Sequence, residues 1–147
     1  MRIVPVLITA ALAPVLLAQA LTLKPGQYEI VSEVSMPGRA GGFPGEKILH
    51  CYTPQELQDL ANALANRDPK QSCKVQDSKT SGSTLTYTTV CTSPDGRQLT
   101  TSGEVTFTSQ ESYHGVVRMK STGRAANPAL GGMTITMTGK RIGDCTK

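Results

Sequence analysis

The sequence predicts a mainly β protein of the α+β class, with a curled antiparallel meander sheet or half-barrel of six to seven strands and one covering helix. Three observations predict it. Several segments alternate apolar and polar residues with the period of a half-buried strand, and short turn-forming clusters separate them. One stretch between strands carries helix-start signals instead. Threonine-rich outer faces suit a sheet that is solvated on one side, so its apolar face must curl or be covered.

The strands are expected in the regular segments of the chain. They are residues 26–36, 46–52, 73–81, 84–92, 98–109, 113–122 and 133–142. Two longer loops rich in glycine and proline, residues 37–45 and 123–132, interrupt this series. Because short turns join most consecutive strands, we expect neighbours in sequence to be neighbours in a meander.

The helix is expected to begin after Thr53. The Thr53 side chain can accept a hydrogen bond from a backbone N–H of the first helical turn. Pro54 suits the first helical position, and Glu56 completes a capping box. An apolar face then follows, consisting of Leu57, Leu60, Ala61 and Leu64. This spacing predicts one amphipathic helix that covers part of the sheet and ends near residues 66–69.

The amino terminus resembles an export signal. A cation at Arg2 precedes an almost wholly apolar run, and Ala18-Gln19-Ala20 has the small-x-small pattern of a cleavage site. We therefore expect residues 1–20 to be a signal peptide and residues 21–147 to be a single disulfide-stapled β-rich domain, periplasmic or secreted. No later segment is apolar enough for a transmembrane helix.

The charges do not indicate a nucleic-acid-binding protein. The chain has 15 Lys and Arg against 11 Asp and Glu, and both signs are interspersed. A nucleic-acid-binding surface would combine a basic stripe with stacking aromatic residues, and neither is visible. With no tryptophan and only two phenylalanines, the core must be aliphatic and methionine-bearing.

Four cysteines predict the covalent framework of the exported domain. They are Cys51, Cys73, Cys91 and Cys145. An even number of cysteines in an exported chain predicts disulfides. Neither the C-x-x-C spacing of a thioredoxin-like site nor the closely spaced ligand pairs of a zinc site occurs.

The segment from Cys73 to Cys91 predicts one of the two pairs. It folds symmetrically about Gly82, and its second half is rich in β-branched and aromatic residues. Directly opposed cysteines in an antiparallel ladder are within disulfide reach. If Gly82 instead ends a three-residue loop, Cys73 faces Thr89 and a bulge is needed.

The second pair would then be Cys51 with Cys145, which joins the end of the chain to its middle. The alternative connectivity pairs Cys51 with Cys73, closing the helical segment, and Cys91 with Cys145. The sequence leaves both connectivities open.

No residue set predicts catalysis. A Cys51–Cys145 bond would bring His50 near Asp144, but no serine nucleophile lies in a G-x-S-x-G frame, and every cysteine is expected to be oxidised. Met119, Met133 and Met137 are soft ligands that Cu(I) accepts, yet methionine is also the ordinary filler of irregular cores. We therefore assign no catalytic, cofactor-binding or metal-binding residue, and we expect no cofactor.

Four stretches together resemble a known family. They are residues 23–29 (LKPGQYE), 51–56 (CYTPQE), 73–75 (CKV) and 139–145 (GKRIGDC). The chain resembles the small exported bacterial proteins grouped as domain of unknown function 3617, many of which carry tryptophan where this chain has Tyr28. The resemblance implies a periplasmic or secreted bacterial protein, and it implies no activity and no catalytic residue.

Two functional hypotheses follow. A concave aliphatic sheet face could bind a small apolar ligand such as a lipid. Alternatively, the protein is an envelope interaction or structural module that contacts a partner protein through loops 37–45 and 123–132. An enzyme is the less favoured interpretation because an acid, a base and a nucleophile are not found together.

Overall fold

A computed structural model describes residues 22–38, 41–66, 72–94, 96–122 and 132–146. The expected signal peptide and most of the 123–132 loop lie outside these described residues. The strands are β1 (Gly26–Ser35), β2 (Phe43–Tyr52), β3 (Ser72–Ser81), β4 (Thr84–Thr92), β5 (Gln98–Ser109), β6 (Ser112–Thr122) and β7 (Met133–Gly143). The helices are α1 (Pro54–Gln58) and α2 (Leu60–Ala65).

All seven strands form one antiparallel sheet in the order β2-β1-β7-β6-β5-β4-β3. Strands β3 to β7 are the expected meander, and the mainly β prediction is confirmed. Strand β1 pairs with β7, so the beginning of the domain is joined to its end, and β2 and β3 become the two edges. In the chain, α1 and α2 connect these two edges.

The sheet is curled but not closed. Ile48 on β2 and Cys91 on β4 line the same cavity, although their strands stand five places apart in the sheet. In a flat sheet with strands ~4.8 Å apart, those strands would be separated by roughly 24 Å. The concave face therefore turns in on itself, while the edge strands β2 and β3 are not paired with each other.

The helical segment begins as expected but is divided in two. Thr53 and Glu56 form the reciprocal capping box, with the Thr53 N–H 2.8 Å from Oε2 of Glu56. The prediction of one continuous helix is wrong because Asp59 leaves helical geometry. Its carboxylate accepts the N–H of Asn62 at 3.2 Å and caps α2, a local bond that competes with helix continuation.

The hairpin of β3 and β4 places Cys73 directly opposite Cys91, but its turn length and the position of its bulge differ from those expected from the sequence. Its turn has two residues, Gly82 and Ser83, and Gly82 takes a φ of 58°. This turn alone would place Cys73 opposite the neighbour of Cys91. A bulge at Gln76 shifts the register by one residue and restores the pair.

Strand β2 begins earlier than expected. It starts at Phe43, within the stretch that the sequence assigned to a loop. The pairing of β1 with β2 shifts between Val31 and Glu33, and a Cβ at Gly45 would overlap the carbonyl of Ser32. Only glycine fits this close approach of two backbones, so the glycine content of the segment marks a bulged edge strand.

Candidate ligand-binding site

The concave face is built from alternate residues of each strand. On β4, Leu85, Tyr87, Thr89 and Cys91 are buried, while their neighbours are more exposed. On β5, the residues Val105 and Phe107 continue the same face. This period of two places the apolar side of the sheet inward and its threonine-rich side outward.

A cluster of tyrosines closes one end of the concave face. Tyr28, Tyr52 and Tyr113 are at most 2% exposed, and the rings of Tyr28 and Tyr52 meet edge to face at 5.2 Å. The hydroxyls of Tyr52 and Tyr113 lie 3.1 Å apart, and the Tyr28 hydroxyl donates to the Lys24 carbonyl at 2.8 Å. Each buried ring therefore has a partner for its polar end.

Burial dominates the ionisation of Tyr28. Desolvation raises the pKa of the Tyr28 phenol to about 12, against the opposing effect of the Arg141 charge. The nearby Glu111 carboxylate and Tyr113 add to the increase. The Tyr28 phenol is therefore uncharged at neutral pH.

The concave face also contains a cavity of about 250 Å³. Its lining comprises Ile30, Ser32, Ile48, Leu64, Ala65, Tyr87, Thr89, Cys91, Leu99, Thr101, Val117, Met119, Ile135 and Met137. Six strands and α2 contribute to it, and no charged side chain is among these described residues. An apolar concavity with a few polar groups is the usual form of a small-molecule site.

Glycine–aromatic pairing shapes the sheet beside the cavity. Gly103 on β5 lies directly opposite Tyr87 on β4, and a Cβ at Gly103 would overlap the tyrosine ring. The same relationship joins Gly139 on β7 to Tyr113 on β6. Because glycine leaves room for the facing ring, each pair lets a large side chain lie flat on a strongly curved sheet.

Helix α2 closes one side of the cavity. Leu64 and Ala65 line it, and Ala61, one turn earlier, is 4% exposed in the core. Leu57 and Leu60 also pack against the core. The predicted apolar face of the helical segment thus covers the sheet, in two short helices instead of one.

Two buried threonines stand out among the apolar lining residues. Thr89 is 1% exposed and Thr101 is 8% exposed, and they face each other across β4 and β5. The sequence reasoning did not single out either residue. The alternation of TLTYTTVCT could have identified Thr89, because it shares a face with Leu85 and Tyr87.

The carboxylate that lies beside His50 is not that of Asp144. Asp144 pairs with Arg141, and the carboxylate beside His50 is that of Glu56, with Nε2 of His50 3.3 Å from Oε1 of Glu56. That contact lies outside hydrogen-bond geometry, so within the described part of the chain Nε2 is buried without a hydrogen-bond partner. The His50 ring packs edge to face against the Tyr52 ring, with the ring centroids 4.5 Å apart.

Glu56 is held in its charged form. Burial alone would raise the pKa of its carboxyl, but hydrogen bonds from the backbone and hydroxyl of Thr53 outweigh it. The nearby His50 contributes in the same direction, and the pKa of Glu56 is lowered. The hydrogen bonds between Thr53 and Glu56 stabilise the start of α1, and neither residue is among the cavity-lining residues.

The methionines divide between the cavity and its surroundings. Met119 and Met137 line the cavity, whereas Met133, opposite Met119 in the ladder, is not among the lining residues. Across the five described ranges, no three His, Cys, Asp or Glu side chains lie close enough to hold a metal ion. Met119 and Met137 thus contribute flexible apolar side chains to the cavity wall.

The four cysteines lie in two pairs at disulfide distance. Cys51 is paired with Cys145 and Cys73 with Cys91. Such pairs are consistent with an oxidising compartment outside the cytoplasm. In the part of the chain that the structure covers, no helix has the length and apolar character needed to cross a membrane.

Comparison with known proteins gives a family and no activity. A family model described as "Protein of unknown function (DUF3617)" matches residues 23–145. No curated protein and no solved structure matches the chain. The match includes all seven strands and all four cysteines, and it confirms the resemblance noted in the sequence.

Proposed function

The chain belongs to the DUF3617 family, and because that membership assigns no activity, we propose from the geometry of the concave face that the protein binds a small apolar ligand such as a lipid. The observation that carries the proposal is the cavity of about 250 Å³ between the curled sheet and α2. A fully packed interior would have left no room for a ligand.

The size of the cavity limits the ligand. An engineered cavity of about 150 Å³ accepts benzene, so about 250 Å³ corresponds to roughly ten carbon atoms. That is a segment of an acyl chain or a small ring system, and a whole phospholipid is too large. Because the lining has no charged residue among those described, a charged group on the ligand would have to remain outside.

We further propose that the protein works outside the cytoplasm, in the periplasm or after secretion, with residues 1–20 removed. The export-like start of the sequence and the two cysteine pairs at disulfide distance support this location. A disulfide-stapled apolar container is suited to carrying or sensing a water-insoluble molecule there. The alternative of a partner-binding module stays a prediction, since residues 39–40 and 123–131 of its two loops lie outside the described part of the chain.

Filling the cavity tests the proposal. Val117 is buried and lines the cavity, whereas its neighbour Val116 faces the opposite side of β6. Val117→Phe should therefore occlude the ligand space, and Val116→Phe is the matched control with the same change in composition. The probe is naphthalene, which has ten carbons, and binding is followed by its fluorescence and by native mass spectrometry.

We expect naphthalene to bind the wild-type protein and the Val116→Phe variant, with at least a tenfold loss of affinity in Val117→Phe. Thermal unfolding of both variants establishes that each is folded. Wild-type protein that binds no naphthalene, or equal binding by both phenylalanine variants, would refute the cavity as the binding site.

A further inference from the structure

The two buried threonines of the cavity carry an inference about the chemistry of the ligand. Thr89 and Thr101 are directly opposed on β4 and β5, and both line the cavity. Directly opposed side chains on one face have their Cβ atoms about 5 Å apart. The two hydroxyls thus form one polar spot on the otherwise largely aliphatic wall.

Among the described residues, neither hydroxyl of this polar spot has a hydrogen-bond partner. Thr89 is 1% exposed and Thr101 is 8% exposed, yet neither hydroxyl oxygen is among the fully enclosed, unpartnered side-chain atoms of the described residues, which agrees with hydroxyls that are open to the cavity. By contrast, Ser32, which also lines the cavity, donates to the carbonyl of Glu46 at 3.3 Å. A hydroxyl that faces an apolar cavity can bond only to water or to an occupant of the cavity, so the threonine pair offers a hydrogen-bonding group to a ligand there.

Valine has the shape of threonine without its hydroxyl and would suit an empty or purely hydrocarbon-filled cavity better. The sheet does not require threonine at its inward-facing positions, since valine occupies such positions at Val105 on β5 and Val117 on β6. The hydroxyl groups are therefore the distinctive chemical feature of this wall.

We infer that the Thr89–Thr101 pair selects an apolar ligand carrying a neutral hydrogen-bonding oxygen, such as a hydroxyl or a carbonyl. This inference rests on the proposed binding function and specifies its ligand class. A hydroxyl can donate or accept, so the pair can satisfy an alcohol, a ketone or an ester. A carboxylate is disfavoured because no cation is among the described lining residues.

Three probes of nearly the same size separate these possibilities: naphthalene, 2-naphthol and 2-naphthoate. The variants are Thr89→Val and Thr101→Val, with Thr88→Val and Thr100→Val as matched controls. Thr88 and Thr100 are the preceding residues on the same strands and face the outer side of the sheet. Thr89→Ser, which keeps the hydroxyl, tests for rescue.

We expect wild-type protein to bind 2-naphthol roughly 2- to 10-fold more tightly than naphthalene, the range of one net hydrogen bond. 2-Naphthoate should bind most weakly. The inner valine variants should lose the preference for 2-naphthol and retain naphthalene binding, while the outer variants and Thr89→Ser keep the preference.

Equal affinities of the wild-type protein for naphthalene and 2-naphthol would overturn the inference and leave the binding function intact. A preference that persists in the doubly substituted Thr89→Val/Thr101→Val protein would also overturn it, because another group must then recognise the oxygen. Failure of all three probes to bind would overturn the proposed function itself.

Discussion

The ring of Tyr113 lies over Gly139, its direct partner across β6 and β7, at the closed end of the concave face. The Tyr113 hydroxyl reaches that of Tyr52, which belongs to the edge strand β2. One glycine thus allows a ring on the central strand β6 to contact the outer strand β2. This relationship connects strands three places apart in the sheet and helps to hold its curvature.

Gly139→Ala should therefore destabilise the protein. The added methyl group overlaps the Tyr113 ring, which is 2% exposed and cannot move into solvent. We expect a loss of about 1–3 kcal/mol in the free energy of unfolding, the usual cost of overpacking a core. Gly143→Ala on the same strand is the control, because nothing lies within 4 Å of its added Cβ. Denaturant unfolding that shows equal stability for both variants would contradict this account of the curvature.

The two cysteine pairs should contribute unequally to stability. The sequence separations are 94 for Cys51–Cys145 and 18 for Cys73–Cys91. In the chain-entropy model, a loop of about 100 residues gives about 4.7 kcal/mol and one of about 15 residues gives about 3 kcal/mol. Double alanine substitution of the first pair should thus lower the unfolding free energy more than substitution of the second.

The mass of the unreduced, denatured wild-type protein checks the pairs themselves. It should be four hydrogens below the reduced mass, and peptide mapping should recover 51–145 and 73–91 as the linked positions. A mixture with 51–73 linkage would contradict the arrangement of the two edges of the sheet.

Helix α1 should show an acid-dependent contribution. The pKa of Glu56 is lowered in the folded protein, so its carboxylate contributes stability above the ordinary pKa of 4.5, and this contribution is lost as the pH falls through the lower folded value. The stability difference between wild-type protein and Glu56→Gln should therefore shrink as the pH is lowered below about 4.5. An increase of this difference on acidification would contradict the assigned hydrogen bonds.

Removal of the cap hydroxyl complements this experiment. Thr53→Ala should cost about 1 kcal/mol at neutral pH and weaken the acid dependence, because the Thr53 hydroxyl bonds the Glu56 carboxylate at 2.9 Å. Thr53→Ser keeps the hydroxyl and should behave like the wild type when urea unfolding is measured at each pH.

Much of the fold could be predicted because it is recorded in local patterns. The alternation of residues 26–36 and 133–142 and the capping box at Thr53 depend only on near neighbours in the chain, and they appear in the structure. The pairing of β1 with β7 joins residues about a hundred positions apart, and local periodicity contains no information about such a contact.

Small register changes explain several remaining differences. The bulge at Gln76 and the close backbone contact at Gly45 each depend on the strand opposite, as does the start of β2. Asp59 breaks the helical segment through a side-chain bond that competes with a helix pattern otherwise intact in the sequence. The sequence pattern does not identify the threonines of the cavity, because threonine on a half-buried strand is typical of the solvated face.

The central claim is that the concave cavity accepts an apolar molecule, and a methyl NMR titration with naphthalene tests it most directly. Ile48 on β2 and Leu99 on β5 belong to distant strands but line the same cavity. Both methyl signals should shift together and saturate with one dissociation constant, while Val31 and Val116 on the outer face stay unchanged. Absence of shifts at Ile48 and Leu99, or shifts confined to outer-face methyl groups, would contradict the account.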